Sequence, residues 1–223
     1  MPELDFTVEA VDVLAHAVTP SLAFKLRLDS HTGQSIHSVM LRCQIQLQVS
    51  RRSYTAMEQA RLRDLFGQPD MWGRTLHSLL WTNTSVIVPA FSGSAQIQLP
   101  VACTFDFNVA ATKYFAGLEA GEVPLCLLFS GTIFYSGAAG ALQVCQIPWE
   151  KEASYRLPIA VWRGLMEHYY PEGAWLCLRR DVFDRLFGYK ARHGLPTWEE
   201  AIASLLDSDS DTRVATRKEA GLQ

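Results

Sequence analysis

Between residues 21 and 49 the chain alternates apolar and polar positions with a period of two. In SLAFKLRLD, Leu22, Phe24, Leu26 and Leu28 fall on one side of an extended chain, and Lys25 and Arg27 fall on the other. In HSVMLRCQIQLQVS, Val39, Leu41, Cys43, Ile45, Leu47 and Val49 alternate with Arg42, Gln44, Gln46 and Gln48. Successive side chains of a strand point to opposite faces, so both stretches predict strands with one face in the core. SHTGQS between them has turn chemistry and predicts a hairpin. SAQIQLPVACTFDF repeats the pattern through Ile97, Leu99, Val101, Cys103, Phe105 and Phe107. Pro100 sits on its polar side and cannot donate to a ladder, which predicts an edge strand or a bulge. VPLCLLFSGTIFYSG is almost continuously apolar and predicts a central strand covered on both faces. SGAAGA then leads into LQVCQI as a second hairpin. Seven or eight such segments predict a mainly β protein, an antiparallel β-sandwich of immunoglobulin-like or jelly-roll-like type.

Short helices interrupt the strands. TAMEQARLRDLF opens with Thr55 and has Glu58 three residues on, the spacing of a capping box. VAATKYFAGLEAG predicts a short helix ending at Gly121. After Pro158 the period changes. IAVWRGLMEHYY places Val161, Trp162, Leu165, Met166 and Tyr169 at helical spacing, closed by Pro171. VFDRLFGYKARH, capped by Asp181, and TWEEAIASLL, with Thr197 and Glu200 as a second capping box, predict a helical hairpin. The expected organisation is a sandwich over 1–157, a helical extension over 158–206 packed on it, and a disordered polar tail over 207–223.

Composition narrows the chemistry. The chain has 223 residues and a net charge of −3, with no basic stripe of the kind a nucleic-acid partner requires. MPELDF has no signal-peptide character, and no apolar run is long enough to span a bilayer, so a cytoplasmic protein is expected. The five cysteines, Cys43, Cys103, Cys126, Cys145 and Cys177, lie among apolar residues without CxxC spacing. They read as buried small hydrophobes. HExxH, GxSxG and phosphate-binding glycine loops are all missing, so no cofactor, metal or catalytic residue is predicted.

Two surfaces and one alternative site stand out. DMWGRTLHSLLWTN carries Trp72, Arg74, His77 and Trp81 in a connection too long for a simple turn. Trp and Arg dominate protein-binding hot spots, because they combine contact area with directional donors. Leu76, Leu79 and Leu80 are spaced like one face of a helix, which with Trp72 seals one mouth of the sandwich in the competing reading. RRDVFDRLFGYKARH offers a second, basic and aromatic face with Arg185, Tyr189 and Lys190. In PWEKEASYR, Glu150 and Glu152 flank Lys151 beside Trp149. Two carboxylates next to an aromatic would suit a small-molecule or carbohydrate ligand, or its hydrolysis.

DLFGQPDMWGRTLHSLLW, YFAGLEAGEVPLCLLFSGTIFY, IPWEKEASYRLPIAVWR and YKARHGLPTWEEA resemble segments of an uncharacterised bacterial family, a domain of unknown function. The similarity runs from about residue 3 to residue 206. The resemblance implies a setting, actinobacterial-type gene clusters for nickel–iron uptake hydrogenases, and a hydrogenase subunit or maturation factor as partner. It transfers no catalytic or metal-binding residue. The expected function is that of a non-enzymatic accessory or assembly protein acting by protein–protein contact. The alternative is a ligand-binding sandwich using Trp149, Glu150 and Glu152.

Overall fold

The predicted alternation becomes eight strands in a computed structural model that describes residues 1–104, 109–137, 140–171, 173 and 176–208. In chain order they are β1 (Leu4–Val13), β2 (Ser21–Ser30), β3 (Ile36–Leu47), β4 (Leu79–Val88), β5 (Ser94–Ala102), β6 (Glu122–Ser136), β7 (Leu142–Gln146) and β8 (Glu152–Pro158). A three-stranded sheet has the order β1-β2-β5. A five-stranded sheet has the order β4-β3-β6-β7, with β8 also paired to β6. Every pairing is antiparallel. Of the two expected architectures this is the immunoglobulin-like one, with the fourth strand joined to the second sheet.

The apolar halves of the strands meet between the sheets. Leu22, Phe24, Leu26 and Leu28 of β2 and Val39, Leu41, Cys43, Ile45 and Leu47 of β3 are all buried in one cluster. Phe6 stacks on Phe129 across the gap at 4.3 Å between ring centroids, and Phe24 meets Trp81 and Tyr155 edge-on. Tyr114, Phe115 and Leu118, on or just past α4 (Val109–Gly117) in the connection between the sheets, are buried in the same cluster.

Strand β6 organises the larger sheet. One side pairs with β3 along most of its length. The other pairs with β8 from Glu122 to Leu128 and then with β7 from Thr132 to Ser136. The change of partner falls at Gly131, whose φ is +140°. A Cβ there would lie 2.0 Å from the Met40 carbonyl oxygen, so the close approach of β3 at this point requires glycine.

Two expectations are corrected. β2 and β3 do not form a hairpin; they lie in different sheets, and SHTGQS carries the chain from one to the other. Turn composition marks where a chain reverses but does not fix whether the next strand stays in the same sheet. The helix expected around Leu76–Leu80 is confined to α3 (Trp72–Thr75), and β4 starts at Leu79, because Trp81 is buried while Leu80 faces out. Helix α5 (Ile159–Tyr169) buries Ile159, Trp162 and Leu165 in the sandwich core, so the first compact unit is Met1–Gly173.

The second unit, Ala174–Gln223, contains α6 (Arg180–Arg192) and a helix α7 over 198–208. Trp198 packs on Phe183 and Phe187, and the Tyr189 and Ser204 hydroxyls bond at 2.8 Å, so the two helices form the predicted hairpin. Thr197 caps α7 by accepting from the Glu200 amide at 3.1 Å. Asp181 lies inside α6 rather than at its cap, which is Arg179. Of the expected tail, 207 and 208 are helical and the rest lies outside the described residues, as do Phe105 and Phe107.

One polar group is buried with the core. The capping box of α1 (Ala56–Arg61), which α2 (Arg63–Phe66) follows, is complete: Thr55 accepts from the Glu58 amide, and the Glu58 carboxylate accepts from the Thr55 amide. That carboxylate is also 1% exposed and takes two guanidinium bonds from Arg52, at 2.9 and 3.1 Å, and the Glu119 amide at 2.8 Å. Arg52 in turn donates to the Ala120 and Glu122 carbonyls. The cluster pins the loop after β3 to the loop before β6. Burial pushes the Glu58 pKa up, but Arg52 and the two amides outweigh it and hold the pKa below its usual value. Removing one member of a buried ion pair costs about 3–5 kcal/mol, so Glu58→Ala is expected to lose about that much in urea unfolding. A depressed carboxylate stabilises the fold fully above its unfolded pKa, about 4.3, and loses that contribution as pH falls through the folded value. The wild-type urea midpoint is therefore expected to fall below about pH 4.5 more steeply than that of Glu58→Gln.

Candidate protein-interaction face

The two sheets differ on their solvent faces. On the three-stranded sheet, Lys25 pairs with Asp12 and Arg27 with Glu9 and Asp29, so that face is an ordinary hydrated charge lattice. Strands β3, β4, β6 and β7 carry only two Asp, Glu, Lys or Arg residues between them, Arg42 and Glu122. Their outward positions are amides, hydroxyls and hydrocarbon.

The ladder registers set these side chains in rows. Ile87, Met40, Thr132 and Gln146 form one row across four strands. Ser38, Phe134 and Val144 form the next. Ile87 is 70% exposed, Leu142 62%, Val144 54% and Met40 52%, and Phe134 is half-buried between them. On the other side of the first row lie Ser85, Arg42 and Ser130, then Asn83, Gln44 and Leu128. Arg42 is exposed and has no ion pair among the described residues. Depletion of charge around exposed apolar side chains, with an arginine beside them, is the composition of a protein-binding surface rather than of a solvated one.

The expected contact residues fall elsewhere. Trp72 and Trp81 are 6% and 4% exposed and belong to the core. The Trp72 indole donates to the Gly67 carbonyl at 3.1 Å and packs edge-on against Tyr54 and Phe66, and Trp81 packs against Phe24 and Phe115. Arg74 and His77 remain exposed, so the four do not form one patch. In the helical unit Tyr189 is tied to Ser204, and Lys190 lies over the Trp198 ring at 5.6 Å, while Arg185 is exposed.

At the alternative site, Trp149 is 89% exposed, and Glu150 and Glu152 both face solvent. The residue drawn inward is the cation between them: Lys151 bonds Glu3 and Asp5 at 3.0 and 2.9 Å. Lys151 and then His31 hold the Asp5 carboxyl below its usual range. Spacing alone made Glu150 and Glu152 look paired. The turn before β8 instead uses Lys151 to close the sandwich against β1.

Chemically reactive groups are not gathered here. Burial pushes the Cys43 and Cys103 thiols up to about 12, and burial also raises those of Cys126 and Cys145, so these four are protonated at neutral pH. Among the described residues no group of three or more His, Cys, Asp or Glu is placed to hold a metal ion. None of their helices is long and apolar enough to cross a membrane.

The neutral face could have been found from the sequence. HSVMLRCQIQLQVS and LQVCQ replace the charges usual on an exposed strand face with glutamine and serine, a weaker signal than the tryptophans of 70–83. Compared with known proteins, the chain matches the model of a family of unknown function (DUF6084) over residues 1–214. No curated protein and no solved structure matches it.

Truncating a buried Trp costs about 3–5 kcal/mol, so Trp72→Ala and Trp81→Ala are each expected to lower stability by that amount. Arg74→Ala and His77→Ala are expected to stay within about 0.5 kcal/mol. Urea titrations of the four variants separate the two classes.

Proposed function

The chain belongs to the family of unknown function (DUF6084), and from that premise we propose that it is a non-enzymatic accessory protein that holds a protein partner on the outer face of its five-stranded sheet. The observation that carries this reading is the charge-poor face with Ile87, Met40, Phe134 and Val144 in adjoining rows. Burying such a face gains the hydrophobic contribution, about 25 cal/mol per Å² of apolar area, without stripping water from a lattice of ions. The rigid sheet behind it fixes the side chains before contact, which limits the entropy lost on binding.

Arg42 sets the polarity of the partner. A cation buried in an interface without a counter-charge is strongly unfavourable, so the partner presents a carboxylate at that position. The finer reading takes its setting from the family resemblance. The partner is then a subunit or maturation factor of a nickel–iron uptake hydrogenase, met in the cytoplasm during assembly.

Photo-crosslinkers placed at Ile87 and Gln44 in the native host are expected to capture one protein species, identifiable by mass spectrometry. The same groups at Thr7 and Gln98, on the other sheet, are expected to capture none. Ile87→Asp together with Met40→Asp is expected to weaken binding of the captured protein at least about tenfold while leaving the thermal midpoint nearly unchanged. Equal capture from both sheets, or binding indifferent to the double variant, overturns the assignment.

A further inference from the structure

A sheet edge exposes unpaired amides and carbonyls and invites another strand, so natural edges are guarded by charge, proline, bulges or a covering element. In this sandwich the guards are visible strand by strand. β1 carries Asp5, Glu9 and Asp12 and a register break between Val8 and Ala10. β5 carries Pro100, whose carbonyl faces away from β2 and accepts from Thr84 Oγ1 of β4 at 2.8 Å, which also covers β4. β8 carries Glu152 and Arg156, and the Lys151 link ties its start to β1.

β7 has no charge, proline or bulge of its own. Its sequence, LQVCQ, is uncharged and contains no proline, and its ladder to β6 runs without a register break. The bonds from the Gly137 amide to the Ala141 carbonyl and from the Ile147 amide to the Gly131 carbonyl fix the phase of that ladder. Antiparallel pairs alternate between bonded and non-bonded. Gln143 and Cys145 therefore bond to β6, and the amides and carbonyls of Leu142, Val144 and Gln146 point to the open side. No described residue pairs with that side. The side chains of the same three residues lie on the outer face, and Trp149, fully in solvent, follows three residues later.

We propose that β7 pairs antiparallel with β7 of a second copy of this chain, about a two-fold axis at Val144. Val144 then exchanges both backbone bonds with Val144 of the second copy, and Leu142 with Gln146 on either side. The strand is symmetric about its middle residue in the positions that bond outward and carries no charge, so self-pairing sets no like charges against each other. The apolar row through Phe134 and Val144 continues across the axis into its counterpart. The outer faces of the two larger sheets become one surface, left open for the partner proposed above. A face-to-face dimer is disfavoured by the same residues, since a two-fold axis near Arg42 would oppose two guanidinium groups.

Sedimentation velocity of the full chain over a wide concentration range tests this. A concentration-dependent dimer is expected. Val144→Lys puts two ammonium groups at the axis and is expected to weaken the dimer at least about tenfold. Val144→Pro removes an outward amide that β6 does not use, and is expected to do the same while circular dichroism and the thermal midpoint report an intact sandwich. Ile87→Asp, on the face but away from the edge, is expected to leave the dimer unchanged. A monomer at every concentration, a dimer insensitive to both Val144 variants, or a dimer lost in Ile87→Asp overturns the proposal. None of these outcomes depends on whether the face captures a heterologous protein.

Discussion

Strand β6 is bonded along both sides but by different strands in succession. β3 runs beside it on one flank, while on the other β8 gives way to β7 at Gly131. Everything distinctive about the molecule depends on this handover. Because β8 takes the stretch near Glu122, Lys151 reaches Glu3 and Asp5 and draws β1 against the larger sheet. Because β7 takes the other stretch, the larger sheet extends one strand further at that end, and its charge-poor outer surface acquires Leu142, Val144 and Gln146. A glycine is what allows β6 to lie close enough to β3 at the changeover, since any Cβ would strike the Met40 carbonyl.

The sandwich itself was legible in the residues. Period-two alternation identified which side chains of β2, β3 and β5 enter the core, and the proline in β5 correctly marked an edge. Sheet membership was not legible, because a strand's pattern reports that one face is buried and not against which neighbour. Local signals misled where two periods overlap: Leu76, Leu79 and Leu80 fit a helix, yet Trp81 is the residue the core takes, and burying it requires extended chain from Leu79. Trp72 and Trp81 were legible as large apolar groups. Their choice between core and surface is a property of the tertiary packing around Tyr54, Phe66, Phe24 and Phe115.

The Arg52–Glu58 cluster shows how a local signal hides a global one. Thr55 and Glu58 were recognisable as a capping box, a device usually found at the surface. Here the same carboxylate is enclosed, and its remaining lone pairs are used by a guanidinium and by an amide from a loop more than sixty positions away. A single glutamate thus both starts a helix and locks the β3–β4 connection, which stays within the larger sheet, to the β5–β6 connection, which crosses between sheets. Removing either member leaves the other enclosed without its counter-charge, so the two loops depend on both residues together.

The tie between Lys151 and the acids at the start of β1 spans 148 and 146 residues of sequence. During synthesis β1 and β2 leave the ribosome long before the strand that will seal them in. β3, which has β4 on one flank early, waits for β6 on the other. Contacts this distant are slow to form, because the intervening chain must be ordered first. The nascent chain therefore displays half-built sheets with apolar faces until its final strand emerges. Over that interval the exposed apolar strands are open to wrong contacts, between chains as well as within one.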